Sequence, residues 1–198
     1  MKRELDPGDG DLLRGLRDGD EECFLRIYRL HQGAVFRFAL HMMGNRSAAE
    51  DTTQEVFMEL IRNPARYDPA RGSLRSFLFG VGRNCVMRMI EREQRWSDLD
   101  DDGFNGSREP RVAADPAGDM ERSDRMERVR KAVLTLPPVY REAVALCDLN
   151  EMSYAEAAEV LGCAVGTVRS RLHRARSLLA EKLRPLRECN SRSAPRED

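Results

Sequence analysis

The sequence has no apolar run that approaches the ~20 residues of a membrane-spanning helix. Its first residues are acidic and polar, unlike the apolar core of a secretory signal peptide. The formal net charge is only −1, so the overall charge does not by itself indicate a nucleic-acid-binding protein. We expect a cytoplasmic protein with no membrane insertion.

Patterns typical of metal, redox and catalytic sites are also scarce. The five cysteines are odd in number and widely spaced, without a Cys-x-x-Cys pair, and Cys23 and Cys85 are predicted to be small buried hydrophobes. The three histidines, His31, His41 and His173, lie too far apart in sequence to show a ligand spacing. We therefore expect no metal, no cofactor and no enzymatic activity.

Strand patterns are rare, because apolar residues recur almost everywhere at spacings of three and four. Between residues 97 and 124 the composition changes: nine acids oppose three arginines among glycines and prolines, without periodicity. The sequence therefore predicts an all-α protein with two small helical domains joined by a flexible acidic linker. The predicted parts are an N-terminal segment (1–19), a first domain (20–96), the linker (97–121), a second domain (122–184) and a loose polar tail (185–198).

The helices of the first domain are predicted from apolar spacing and from capping residues. A helix, or a pair of helices broken near Gln32 and Gly33, spans residues 20–44. Ser47 and Glu50 have the spacing of a capping box and open the next helix. Ser73 is predicted to cap a long helix that reaches about Arg95.

Residues 153–183 have the pattern of two helices joined by a tight turn. Ser153 and Glu156 form a capping box at the start of the first helix, and Gly162 ends it. Residues 164–184 contain six Arg or Lys against one Glu, on the side opposite an apolar stripe. A polar face between flanking arginines suits the major groove of DNA, whereas a solvated basic helix is the alternative. The short capped helix and glycine turn favour a helix-turn-helix.

The run LNEMSYAEAAEVLGCAVGTVRSRLHRARSLL resembles the C-terminal DNA-binding region of bacterial sigma factors of the extracytoplasmic-function group. This resemblance implies that the second helix reads the minus-thirty-five promoter element. It implies base contacts by Arg169, Ser170, His173 and Arg174. Helical geometry alone leaves Arg171 and Arg176 for phosphates, and Thr167 also lies on the polar face.

The segment EDTTQEVFMEL resembles the D-x-x-Q-E-V-F signature of sigma region two, which docks on the clamp helices of core RNA polymerase. The resemblance implies that Asp51, Gln54 and Glu55 bind the polymerase. On helical periodicity alone, acidic residues on an outward face are an ordinary solvated surface.

Residues 62–95 contain eight arginines and three acids, a combination that suits single-stranded DNA or simply solubility. SFLFGVGRN resembles the segment with which the family recognises the minus-ten element and holds the melted strand. The resemblance implies DNA contacts by Arg83 and Asn84, and by Arg66, Tyr67 and Arg71 of the preceding loop.

Three departures from the family pattern stand out. Phe77 or Leu78 replaces a common tryptophan, which affects the strand-facing side. Cys147 stands where the family often has arginine, so one phosphate contact is expected to be missing. Glu151 stands where the family commonly has glycine.

The resemblance implies a sigma factor that acts with core RNA polymerase on promoter DNA and is restrained by an anti-sigma factor. Two alternatives stay open: a helix-turn-helix regulator that binds a palindrome as a dimer, and a sigma mimic that titrates an anti-sigma protein. An acidic linker usually serves only to keep chains apart and soluble. A sharper hypothesis is that this one folds over the two basic domains and weakens DNA binding by the free protein.

Overall fold

A computed structural model describes residues 8–99 and 120–191 of the chain, and all regular structure in these two ranges is helical. This confirms the predicted all-α fold. Residues 100–119, most of the predicted linker, lie outside the described residues. The prediction that the linker folds over the domains concerns this segment and is therefore also outside the described residues. The helices are α1 Asp9–Arg17, α2 Glu21–Met43, α3 Arg46–Arg62, α4 Leu74–Leu99, α5 Met120–Leu134, α6 Pro138–Cys147, α7 Tyr154–Leu161 and α8 Val165–Ser191, with a 3-10 turn at Pro64–Arg66.

Helix α2 is continuous and does not break at Gln32 and Gly33. The Asp20 side chain accepts a hydrogen bond from the backbone N–H of Glu22 at 2.9 Å and caps its first turn. Gly44 ends the helix in the left-handed conformation at φ 69°, which glycine adopts without a steric penalty.

The start of α3 differs from the prediction. Asn45, not Ser47, caps the helix, and its side chain accepts a hydrogen bond from the N–H of Ala48 at 3.1 Å. Asparagine is as good a cap as serine, and the earlier start places Arg46 one turn before Glu50, where the two side chains pair at 3.0 Å. The predicted capping box of Ser47 and Glu50 is therefore wrong.

Helix α1 packs against the first domain. Its apolar side chains Leu12, Leu13 and Leu16 are buried. Gly15 allows the close approach to α2, because a β-carbon at this position would collide with Sγ of Cys23. Arg17 donates a hydrogen bond to the backbone oxygen of Tyr67 at 3.0 Å, so α1 also supports the loop after α3. We call residues 8–99 the first module.

Helices α5 to α8 form the second module, residues 120–191. The predicted capping box of Ser153 and Glu156 is confirmed: the N–H of Glu156 donates to the Ser153 hydroxyl at 3.2 Å, and the N–H of Ser153 donates to the Glu156 carboxylate at 2.9 Å. Gly162 ends α7 at φ 62°, as predicted. Helix α8 continues to Ser191, so residues 185–191 of the predicted loose tail are helical.

The two modules pack against each other. Helix α2 contacts α5 and α6, and α4 contacts α7. Buried apolar side chains from both sides form one continuous cluster, so the interface excludes water as a core does. The cluster includes Phe38, Met42 and Phe79 of the first module and Val133, Leu136 and Val144 of the second.

Arginine side chains add polar contacts across this interface. Arg141 of α6 donates a hydrogen bond across the interface to the backbone oxygen of Met42, near the end of α2, and one within its own module to that of Leu136 at 3.0 Å. Arg75 of α4 donates to the backbone oxygen of Asn150, and its guanidinium lies 5.6 Å from the centre of the Phe79 ring. These contacts satisfy carbonyls that the packing removes from water.

Within the described ranges, none of the helices is both long and apolar enough to cross a bilayer.

Candidate nucleic-acid interface

Helix α8 presents one exposed polar face. Its apolar stripe, Val168, Leu172 and Ala175, is at most 1% exposed and holds the helix against α6 and α7. The opposite side chains lie in solvent, although the second module is packed on the first. The four residues implied as base contacts, Arg169, Ser170, His173 and Arg174, all lie on this exposed face.

The three remaining minus-thirty-five candidates differ in their exposure and in their hydrogen-bond partners. Thr167 is partly buried in the first turn of α8, and its backbone oxygen accepts a hydrogen bond from the Ser170 hydroxyl at 2.9 Å. Arg171 is partly exposed beside the buried stripe. Arg176 is paired: its Nε and Nη2 donate to the two carboxylate oxygens of Asp148 at 3.1 and 2.6 Å. Asp148 follows the end of α6, so this ion pair joins two helices of the second module.

The loop between α3 and α4 places its minus-ten candidates in unlike surroundings. Arg66 forms an ion pair with Glu59, and this hydrogen bond lowers the pKa of the Glu59 carboxyl. Tyr67 is only 2% exposed, and its hydroxyl donates to the backbone oxygen of Gly72 at 3.0 Å. Its ring meets Phe77 edge-on at 5.6 Å and is therefore not presented for stacking on a base. Arg71 is exposed.

The packing of the modules places Arg83 and Asn84 of α4 in different surroundings. Nε of Arg83 lies 2.8 Å from Oε1 of Glu142 on α6, and the Glu142 side chain is 1% exposed. Asn84 is exposed. A buried carboxylate needs a cationic partner, so Arg83 is held at the interface while the modules are packed.

The polymerase-binding candidates Asp51, Gln54 and Glu55 are all exposed on α3. Beside Gln54, a groove of about 570 Å³ separates α3 from α2. The rings of Tyr28 and Phe57, whose centroids are 4.8 Å apart, line it together with Ile61, which is 44% exposed. An apolar groove rimmed by polar side chains is typical of a site for a partner helix.

Several of these residues were not identified from the sequence. Glu142 sits within the apolar run of α6, and an acid in such a run is the signal that an ion pair forms there. Asp148 and Ile61 carry no comparable signal, because each occupies an ordinary position at or near a helix end.

The two departures from the family pattern in the second module have a structural basis. Glu151 has φ 54°, the left-handed conformation that glycine adopts most readily, so the substituted position is one at which a side chain is strained. Cys147 is partly buried, and burial raises the pKa of its thiol to about 11. A neutral thiol carries no charge with which to bind a phosphate.

Comparisons with known proteins match both modules. Residues 27–96 match the family described as Sigma-70 region 2, and residues 126–179 match Sigma-70, region 4. The chain is 35% identical over 159 residues to the ECF RNA polymerase sigma factor SigE of Mycolicibacterium smegmatis, an alignment that covers 79% of this chain and 60% of SigE. It therefore spans less than two thirds of the length of that relative.

Other relatives are matched over most of their length. The ECF RNA polymerase sigma factor SigM of Bacillus subtilis is 32% identical over 158 residues, which cover 77% of this chain and 90% of SigM. Among solved structures, the sigma factor RpoE in complex with the anti-sigma factor NepR from Bartonella quintana superposes with a TM-score of 0.68 and 30% identity. That match covers 81% of this chain and 96% of RpoE.

Proposed function

The chain belongs to the extracytoplasmic-function (ECF) group of RNA polymerase sigma factors, and on this premise we propose that it binds core RNA polymerase and directs initiation at specific promoters. The observation that carries the proposal is the exposed face of α8, where Arg169 and Arg174 flank short polar side chains above a buried stripe. The protein works in the cytoplasm with the polymerase, which supplies the phosphodiester chemistry.

We assign the minus-thirty-five element to α8. Arg169, Ser170, His173 and Arg174 are positioned to meet base edges in the major groove, and Arg171 meets a phosphate from the side. A bidentate contact between arginine and guanine contributes about 1–3 kcal/mol of discrimination, so two arginines on one face suffice for a selective upstream contact.

We assign the minus-ten element to α4 and the loop before it. Asn84 and Arg71 are exposed, and the arginine-rich composition of residues 62–95 makes this surface basic enough to hold a melted strand. Tyr67 supports this surface from beneath, because its buried ring and its hydrogen bond to Gly72 fix the shape of the loop. Arg83 joins the DNA-binding set only when Glu142 releases it.

Promoter reading therefore requires the modules to separate. In the packed arrangement Arg83 neutralises Glu142 inside the interface, whereas the reading face of α8 is open to solvent. When the modules part, water can solvate Glu142, and Arg83 becomes available to a phosphate or base. The free energy that separates the modules comes from binding to the polymerase and promoter.

For the polymerase we propose docking on the exposed side of α3. Asp51, Gln54 and Glu55 supply polar contacts, and the groove beside them receives apolar side chains from the clamp helices. The groove is lined by residues of α2 and α3 and by none of the second module, so the packed chain can bind the polymerase before its modules separate.

An anti-sigma factor is the second proposed protein partner. The RpoE structure named above contains the anti-sigma factor NepR, and RpoE matches both modules of this chain. By that likeness we propose that an anti-sigma protein binds this chain and keeps its modules packed.

A mobility shift on promoter DNA, with and without purified core polymerase, tests the function. The duplexes are taken from start sites mapped by runoff transcription. We expect a specific complex only when the polymerase is present. A dimeric regulator would instead shift a palindromic duplex alone, and a sigma mimic would give no specific complex under either condition.

A further inference from the structure

We propose that Arg176 is a positioning residue, which the Asp148 carboxylate holds in place so that α8 meets the minus-thirty-five element at the correct angle. The inference rests on the proposed reading of that element by α8. It replaces the role in phosphate binding that helical geometry alone suggests for Arg176.

The contact between Arg176 and Asp148 is bidentate. Two guanidinium nitrogens of Arg176 donate to the two oxygens of one carboxylate, at 3.1 and 2.6 Å. A bidentate pair of this kind fixes orientation as well as distance. The hydrogen bond to Asp148 raises the pKa of Arg176, and the neighbouring Tyr154 acts in the same direction. The guanidinium therefore lies where the end of α6, the start of α7 and the middle of α8 meet.

The other arginines of the reading helix differ from Arg176. Within the parts of the chain that the structure describes, no ion pair is formed by Arg169, Arg171 or Arg174. Arg176 comes four residues after the buried Leu172 and therefore borders the packed stripe. Its charge is already balanced by Asp148, so a phosphate attracts it less than it attracts an unpaired arginine.

The position of the pair explains how it affects recognition. Base contacts tolerate an error of only about 0.5 Å or 10–20° in the reading helix. The apolar stripe of α8 determines which side of the helix faces α6, but it opposes small rotations about the helix axis less sharply than a hydrogen bond does, because apolar contacts are not directional. A bidentate bond from the edge of the stripe to the end of α6 opposes that rotation.

Asp148→Asn in the full-length chain, assayed as its complex with core polymerase, gives the sharpest test, because the two roles predict opposite changes in DNA binding. If Arg176 binds phosphate, removing its competitor strengthens DNA binding and steepens the salt dependence. If Arg176 positions α8, the variant loses about fivefold in selectivity between a duplex with the upstream element and the same duplex with that element scrambled, as expected for an ion pair of this strength. The salt dependence then stays unchanged.

Three further variants complete the experiment, measured by fluorescence anisotropy across a salt series. Arg176→Ala is expected to lose selectivity like Asp148→Asn without a change in salt slope, whereas Arg171→Ala, the matched control, lowers the slope by about 0.9. The exchange Asp148→Arg with Arg176→Asp is expected to restore at least half of the lost selectivity. Thermal melting shows that each variant is folded at the temperature of the binding measurement.

Each possible result of these binding measurements either supports or overturns the positioning role of Arg176. Tighter binding by Asp148→Asn together with a steeper salt dependence, or a lower salt slope for Arg176→Ala, would show that Arg176 contacts phosphate. Unchanged selectivity in both single variants would show that the ion pair only stabilises the fold, and this result would also overturn the inference. Failure of the proposed function looks different, because Arg174→Ala would then leave selectivity at its original value.

Discussion

Arg83 and Glu142 form an ion pair between the two modules, with Nε of Arg83 2.8 Å from a carboxylate oxygen that is almost completely buried. Arg83 is also one of the two α4 residues proposed to hold the minus-ten strand. The same guanidinium therefore has two partners, and the packing of the modules decides which of them it binds.

Glu142→Gln tests this competition. The neutral side chain cannot balance Arg83, so the packing of the modules should weaken by about 2 kcal/mol, less than the ~3–5 kcal/mol of a fully buried pair because Arg83 is 26% exposed. The free chain should then bind a single-stranded minus-ten oligonucleotide several-fold more tightly, measured by fluorescence anisotropy. Glu50→Gln is the matched control, because it removes the same charge from an exposed ion pair with Arg46. Equal affinities in the two variants would contradict the competition.

Arg174→Ala tests the reading face of α8. Its guanidinium is exposed and points away from the buried stripe, so truncation should leave folding unchanged and remove about 1–3 kcal/mol of discrimination at the upstream element. Runoff transcription from a promoter with an intact or a scrambled upstream element measures that discrimination. Arg14→Ala, an exposed arginine of α1, is the control. A variant that kept full selectivity would show that Arg174 does not contact bases.

Glu151→Gly should stabilise the protein. Glu151 has φ 54°, and a non-glycine residue in this conformation costs about 1 kcal/mol, which the substitution should recover. Urea unfolding of the full chain measures the gain. Glu181→Gly is the opposed control, because glycine in the exposed interior of α8 should destabilise by a similar amount. If Glu151→Gly lowered the free energy of unfolding, the strain at this position would be refuted.

Ile61→Ser tests the groove beside the polymerase-binding candidates. Ile61 is 44% exposed at the groove, so serine should cost little folding stability but weaken binding to core polymerase by about 1 kcal/mol. Leu30→Ser is the control, since Leu30 is 65% exposed on α2 and does not line the groove. Equal dissociation constants for the two variants in a titration with labelled core enzyme would exclude the groove from the contact.

The sequence predicted those features that depend on neighbours along the chain. The exposed face of α8 follows from a period of 3.6 residues, and the capping box of Ser153 with Glu156 follows from their spacing. The start of α3 was misplaced because Asn45 and Ser47 are both good caps, and the choice depends on the side-chain pair that each start allows.

Features that depend on contacts between distant helices were not predictable in this way. A helical wheel places Arg176 on the flank of α8, but it contains no information about Asp148, which precedes it by 28 positions. The burial of Tyr67 and Glu142 likewise follows from packing of α4 against its neighbours and of one module on the other. Helical periodicity describes single elements, whereas these roles arise where elements meet.

Runoff transcription with purified core polymerase measures promoter-specific initiation itself. Genomic fragments are transcribed with core enzyme alone, with the chain alone and with both, and the start sites are mapped. We expect discrete start sites only for the mixture, preceded by common sequence elements near minus ten and minus thirty-five. Start sites that are the same with and without the chain would contradict it.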